Sequence, residues 1–257
     1  VRLVGSEMCI RDRPYVGAGM MGSVVGMDKV FMRDILKAHN IPQTDYVAVR
    51  RCDFEKEPEQ VLDEVEAALT YPMFVKPSCL GSSVGISKVQ NREALRDALA
   101  AAGQYDSKLI VETGVNAREI ETALLGNFDA DMAAPGEIIT EGVFYDYESK
   151  YILDNSVTKT PADVTEEQVA ELRRIAKKAY AILNLSGMCR ADFFIDKDNG
   201  RILLNEVNTL PGFTSISMYA KMWQASGKSL IDVIERLIEL AFEKHNDDLR
   251  NYTVFGG

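Results

Sequence analysis

The stretch Arg190-Ala191-Asp192-Phe193-Phe194-Ile195-Asp196-Lys197-Asp198-Asn199-Gly200-Arg201-Ile202-Leu203-Leu204-Asn205-Glu206-Val207-Asn208 reads as two apolar, β-prone runs joined by a turn. A three-residue hairpin loop, Asp198-Asn199-Gly200, ends with a residue in the left-handed region, which Gly200 supplies without a Cβ penalty. Such a loop pairs Lys197 with Arg201. Counting back, Asp192 falls opposite Glu206 and Arg190 opposite Asn208. Side chains alternate faces along a strand, so all four project from one side. Two carboxylates and an amide beside a guanidinium have the chemistry of a magnesium site that handles phosphate. A solvated polar sheet face would also hold one such carboxylate pair. The run into Thr209-Leu210-Pro211-Gly212 favours the site, because the strand hands its acids to a rigid Pro-Gly loop.

Upstream, Lys76 closes the apolar strand Met73-Phe74-Val75-Lys76, and a loop from Ser78 to Ser87 follows with Gly81, Ser82, Ser83 and Gly85. Glycines let backbone N–H groups approach phosphate, hydroxyls add donors and lysine neutralises charge. A plain turn with a surface lysine is the other reading. Gly17-Ala18-Gly19-Met20-Met21-Gly22 matches the dinucleotide-binding pattern in letters, but no full strand precedes it and no βαβ unit follows. Lys29, after Asp28 on a first helical turn, is uninformative alone. Glu112 ends one strand and Glu119 begins another. Lys150-Tyr151, beside Tyr145-Asp146-Tyr147, reads as a surface aromatic cluster or a lid that excludes water.

Helical periodicity runs from Asp28 to Ala38, from Pro58 to Leu69, from a cap at Asn91 to Leu99, from Thr165 with Gln168 completing a capping box, and from Ser229 boxed by Asp232. Leu109 to Glu112 and Glu119 to Leu125 read as strands. The polar, Tyr-rich stretch 141–164 reads as a long loop. The mixture predicts an α+β fold with antiparallel pairing, divided near Val115.

The 257 residues suffice for one large domain or two small ones, and 46% hydrophobic content is that of a globular protein. A net charge of -10 argues against a nucleic-acid surface, and no apolar stretch is long enough to span a bilayer. Four cysteines without a CxxC pair suggest neither zinc nor a disulfide framework, and point to a reducing cytoplasm. With only two histidines, His39 and His245, both at polar helix ends, a histidine-based hydrolase is disfavoured.

Taken in order, these residues resemble the ATP-grasp enzymes, and within them the D-alanine–D-alanine ligase family. The resemblance runs from Pro14 onward through P-Y-V-G, M-D-K ending at Lys29, K-P-S-x-x-G-S-S-V-G-I-S from Lys76 and R-E-I-E from Arg118. It continues with F-Y-D-Y-E-S-K-Y ending at Tyr151, R-A-D at Arg190, N-E-V-N-T-L-P-G-F-T from Asn205 and S-M-Y at Ser217. It implies an ATP-grasp fold of two α+β subdomains, with the nucleotide between their antiparallel sheets. It implies ATP-dependent joining of two D-alanines through an acyl phosphate, for peptidoglycan synthesis in the cytoplasm.

By resemblance, Lys29 and Lys76 bind ATP phosphates while Ser82 and Ser83 close over them. Glu112 and Val115 lie at the adenine, Glu119 at the ribose, and Lys150 in the lid. Asp192, Glu206 and Asn208 hold two Mg²⁺, for which Mn²⁺ can substitute. Arg190 and the Gly212 N–H stabilise the tetrahedral oxyanion, and Ser217 and Met218 receive the second substrate's carboxylate. Tyr151, with Ser82, completes a network near the first D-alanine and favours an amino acid as nucleophile.

ATP and D-alanine are the expected partners, without nucleic acid or membrane and with room for a homodimer. The implied parts are a foreign leader over 1–13, a remnant of an amino-terminal domain over 14–27, one subdomain over 28–115 and a second over 116–257. Thr113 stands where many relatives carry lysine, and the family's amino-terminal domain lies ahead of Pro14. Another carboxylate–amine ligase, or a nucleotide-binding fragment without turnover, are the alternatives.

Overall fold

The computed structural model describes residues 13–81, 84–140, 156–214 and 216–250. Helix α1 (Met20–Met27) leads into α2 (Lys29–Ala38), which starts where the Asp28 side chain accepts the Val30 and Phe31 N–H groups. Four strands, β1 (Tyr46–Arg50), β2 (Met73–Pro77), β3 (Ser87–Val89) and β4 (Lys108–Thr113), pair antiparallel in the order β1-β4-β2-β3. Helices α3 (Arg51–Lys56), α4 (Pro58–Ala68) and α5 (Arg92–Ala102) supply Phe54, Leu62, Val65, Leu95 and Leu99 to a core shared with Met73, Val75, Leu109 and Val111. Proline at the first turn of α4 and the Asn91 cap of α5 fix where those helices begin. The alternate strand residues, Phe74, Lys76, Ile110 and Glu112, are left on the face away from these helices.

Residues 114–116 lead into the second sheet. Strands β5 (Ala117–Gly126), β6 (Asp131–Met132), β7 (Gly136–Thr140), β8 (Ser156–Lys159), β9 (Gly187–Asp196) and β10 (Ile202–Asn208) form it, in the order β10-β9-β5-β7-β8 with β6 beside β5. Helix α6 (Glu166–Ile182) has the expected capping box of Thr165 and Gln168. It lays Leu172, Ile175 and Ala179 on Ile120, Leu124, Ala191, Phe193, Leu204 and Val207. On the other face, α7 (Met218–Ala225) and α8 (Leu230–Asp248) cover Ala123, Leu125 and Met188 with Met222, Trp223, Leu237 and Leu240. These helices cover one end of that face. Its remainder carries Glu119, Glu121, Arg190, Asp192, Glu206 and Asn208.

The hairpin differs from its expected construction. The Asp196 N–H donates to the Arg201 carbonyl at 2.9 Å, so the loop is four residues, 197–200, and Lys197 does not pair with Arg201. Ile202 therefore lies opposite Ile195 and Leu204 opposite Phe193. A β-bulge at Asn205 then inserts one residue, after which Glu206 faces Asp192 and Asn208 faces Arg190. The expected pairs are present because a longer loop and a bulge offset each other. Gly200, at φ +73, has the left-handed conformation the turn requires.

Other differences have local causes. Strand β8 lies within the stretch read as a loop, hidden because its residues, Ser-Val-Thr-Lys, are mostly polar. Residues 29–41, assigned from sequence to the first subdomain, put Met32, Leu36 and Ile41 into the core of the six-stranded sheet. In α8, Ile234 is 41% exposed, while Leu240 fills the core. Of the glycines in 17–22, Gly22 serves packing, since a Cβ there would come within 2.9 Å of Leu185, and the Gly17 backbone lies so close to Gly187 that a Cβ on Gly187 would come within 2.8 Å of its nitrogen. Among the described residues, no helix is long and apolar enough to cross a membrane.

Candidate active site

The acidic face of the six-stranded sheet is a row of three carboxylates on neighbouring strands, Glu206 on β10, Asp192 on β9 and Glu121 on β5. Arg190, two residues along β9 on the same face, grips Asp192 bidentately, with Nε to Oδ1 at 2.7 Å and Nη2 to Oδ2 at 2.6 Å. Its Nε also lies 3.3 Å from Glu121 Oε1. Burial opposes the charge on Arg190, but Asp192, Glu121 and Glu206 outweigh it and drive its pKa upward. Glu121 was missed as a site residue. The signal for it was present in Arg118-Glu119-Ile120-Glu121, where period two puts both glutamates on one face.

From the four-stranded sheet comes a second cluster. Lys76 Nζ donates to Glu112 Oε2 at 2.9 Å, and Arg33 Nη2 lies 3.1 Å from Glu112 Oε1. That second approach is a charge contact and not an aligned hydrogen bond, since Oε1 has no hydrogen-bond partner among the described residues. Burial disfavours an ionised Glu112, yet Arg33 and Lys76 beside it prevail and hold its pKa below the ordinary carboxylate value. Arg33 is 1% exposed and was also missed. Its signal was a cation in line with Val30 and Leu36 on the buried face of α2.

Lys29 joins the two clusters. Its Nζ donates to the Leu80 carbonyl at 2.5 Å and lies 3.7 Å from Glu206 Oε2. The helix start that presents it is itself clamped: Asp28 accepts from Ser78 Oγ at 2.7 Å and forms an ion pair with Lys108. Burial of Asp28 works against ionisation, but Lys108, Ser78 and the Phe31 N–H together lower its pKa. One basic side chain thus spans from the glycine-serine loop of one sheet to an acid of the other.

Beyond the acids, Asn208 Oδ1 accepts from the Leu210 N–H at 3.1 Å and shapes the turn into Pro211 and Gly212. Ser217 Oγ accepts from the Thr214 N–H at 3.1 Å, and a Cβ on Gly212 would lie 3.0 Å from it. Gly212 and Ser217 are therefore neighbours at the start of α7. The Met218 side chain packs into the core beside Gly136, so its backbone N–H is the part suited to a carboxylate. Glu119 lies on the acidic face, opposite Phe194 and Ile138, and Val115 in the link between the sheets. Ser82, Ser83, Lys150 and Tyr151 lie outside the described residues.

Among the described residues, no three histidine, cysteine, aspartate or glutamate side chains form a group that could hold a metal ion. The donor set expected from sequence has only two such side chains, with an amide as the third. Two carboxylates in facing positions and an adjacent amide oxygen are hard oxygen donors, the chemistry that suits Mg²⁺ or Mn²⁺. On that ground the residues fit a divalent cation.

Two antiparallel sheets, the Lys76–Glu112 pair on one and the acids Asp192 and Glu206 on the other, with Lys29 at a helix start reaching between them, define an ATP-grasp protein. The residues 35–239 match the family model described as D-ala D-ala ligase C-terminus. The chain belongs to the D-alanine–D-alanine ligase family. It is 47% identical over 239 residues to the D-alanine--D-alanine ligase of Acetivibrio thermocellus, covering 93% of this chain and 64% of that protein. It is 48% identical over 233 residues to the Enterococcus hirae protein of that name, covering 91% and 65%. The structure of the D-alanine-D-alanine ligase from Coxiella burnetii superposes with a TM-score of 0.78 at 36% identity, covering 92% of this chain and 62% of that one. VanG D-Ala:D-Ser ligase from Enterococcus faecalis gives 0.79 at 35% identity, covering 88% and 64%. The chain thus spans a little under two thirds of the length of these relatives.

Proposed function

We propose that the chain carries the nucleotide- and cation-binding part of a ligase that joins two D-alanines at the expense of ATP, in cytoplasmic peptidoglycan synthesis. The observation that carries this reading is Lys29 placed between the Leu80 carbonyl and Glu206, which faces Asp192 across the hairpin. Lys29 and Lys76 neutralise the phosphates, with the loop bearing Ser82 and Ser83 folding over them. Glu112 and Val115 border the adenine and Glu119 the ribose. Asp192, Glu206 and Asn208 hold two Mg²⁺, or Mn²⁺ in their place. When bound, such cations neutralise charge on the phosphates and orient the terminal one.

The reaction has two steps. A carboxylate oxygen of the first D-alanine attacks the γ-phosphorus, the bond to the β-bridging oxygen breaks, and ADP leaves an acyl phosphate. The amine of the second D-alanine then attacks the acyl carbon, losing a proton as the C–N bond forms, and the C–O bond breaks to release phosphate. Arg190 and the Gly212 N–H are the donors that would stabilise the oxyanion between attack and expulsion. Ser217 and the Met218 N–H receive the second carboxylate. Tyr151 and Ser82 orient the first D-alanine, with Lys150 in the lid. A homodimer is compatible with this reading.

Phosphate release from ATP, measured with and without D-alanine alongside analysis of the dipeptide product, tests the reading. D-alanine-dependent release with D-alanyl-D-alanine as product is expected. Nucleotide binding without release on adding D-alanine would restrict the chain to binding. A mixed product with a different amine would reassign the second substrate, the direction in which VanG D-Ala:D-Ser ligase differs by its name.

A further inference from the structure

A bulged residue leaves its backbone outside the ladder, and a bulge can migrate along a strand unless something fixes it. At Asn205 the consequence of migration is specific. Ile202 and Leu204 face the α6 core before the bulge and Val207 faces it afterwards. Without the bulge, Glu206 would follow Ile202 and Leu204 into that core and Asp192 would lose its opposite carboxylate. The Asn205 side chain and carbonyl are both held by one group: Arg33 Nη2 donates to Asn205 O at 3.2 Å and to Asn205 Oδ1 at 3.3 Å. The other arm, Nη1, donates to Thr44 Oγ1 at 3.0 Å, and the guanidinium lies 5.5 Å from the Tyr46 ring centroid. That Nη2 is also the atom 3.1 Å from Glu112, whose other oxygen holds Lys76.

A cation buried to 1% exposure is costly unless its geometry satisfies several partners at once. The planar fork of arginine does so here, linking a strand of each sheet from a helix packed into the core of the six-stranded one. Lys76, Glu112, Arg33, Asn205 and Glu206 form a continuous path from a lysine on one sheet to an acid on the other.

We propose that Arg33 is a positioning residue: it pins the Asn205 bulge, and so the outward placement of Glu206, to the Glu112–Lys76 pair. The inference rests on the nucleotide reading given above. It makes the cation-binding and phosphate-binding halves of the site a single unit, although Arg33 itself touches neither ligand.

The test uses the full chain with Asn205→Ala, Arg33→Met and Arg33→Lys, read by backbone hydrogen exchange and by ATP binding with and without Mg²⁺. Asn205→Ala is expected to speed exchange over 204–208 and leave 109–113 unchanged. It should reduce the Mg²⁺-dependent gain in ATP affinity by about tenfold, the low end for a residue supporting metal ligands. ATP binding without metal should stay at the parental level. Arg33→Met should speed exchange in both segments and weaken binding with and without metal. Arg33→Lys should restore the 109–113 segment and metal-free binding but not the metal-dependent gain. Parental exchange over 204–208 in Asn205→Ala, or a full metal-dependent gain in that variant, would overturn the proposal even if Arg33→Met failed to fold. A parental chain that binds no ATP would remove the nucleotide reading and the positioning role with it, while exchange would still decide the tie to the bulge.

Discussion

Glu206 stands opposite Asp192 in a register that holds on only one side of Asn205. Between the turn and Asn205 the strand pairs one residue out of step, and the bulge restores the alignment where the acids lie. This relationship turns an otherwise regular hairpin into a carrier of two facing carboxylates. It also sorts the sheet, with Val207 in the α6 core and Glu206 and Asn208 on the polar face.

Gly187→Ala should destabilise the chain. Gly187 has φ +74, and a Cβ there would meet the Gly17 nitrogen at 2.8 Å and its Cα at 3.0 Å, both of them backbone. A loss of about 2 kcal/mol or more in denaturant unfolding is expected. Near-parental stability would show that the 17–22 segment does not rely on this close approach.

Glu112→Gln should lower stability in a pH-dependent way. The folded pKa of Glu112 is depressed below the usual 4.5, so its ionised form contributes stability above that value and loses it as pH falls through the depressed one. The cost of the substitution, about 3 kcal/mol for removing one member of a buried ion cluster, should be constant above about pH 5. Below 4.5, the usual value of this carboxyl, the two unfolding curves should converge. A gap that widens in acid would show that Glu112 is not held ionised by Arg33 and Lys76.

Thr165→Ala removes the hydroxyl that accepts the Gln168 N–H and breaks a reciprocal capping box. Urea unfolding should report a loss of about 1 kcal/mol. An unchanged midpoint would mean that packing of Leu172 and Ile175, and not the cap, sets where α6 begins.

Much of this architecture was legible in the sequence because its signals are local. The Asp-Asn-Gly turn, the caps at Asn91, Thr165 and Ser229, and the apolar stripes of α4 and α6 each rest on neighbours within a few residues. What stayed hidden depends on distant partners. Nothing in the letters around Asn205 announces a bulge, because its stabilising group, Arg33, lies 172 positions away. Arg33 and Glu121 were readable as charged residues in the pattern of a helix or strand, but their roles come from what the fold sets beside them. Likewise β8 is a short edge strand with mostly polar residues, and its pairing with β7 defines it better than its composition.

We propose that Asp192 and Glu206 jointly hold a divalent cation for ATP. Mn²⁺ binding in the presence of ATP, followed by the loss of the free-ion paramagnetic resonance signal, tests it directly on the parental chain, Asp192→Asn and Glu206→Gln. The parental chain should take up Mn²⁺, and each variant should bind it at least about tenfold more weakly with secondary structure unchanged. Variants that bind Mn²⁺ as tightly as the parent would place the cation elsewhere and overturn this role for Asp192 and Glu206.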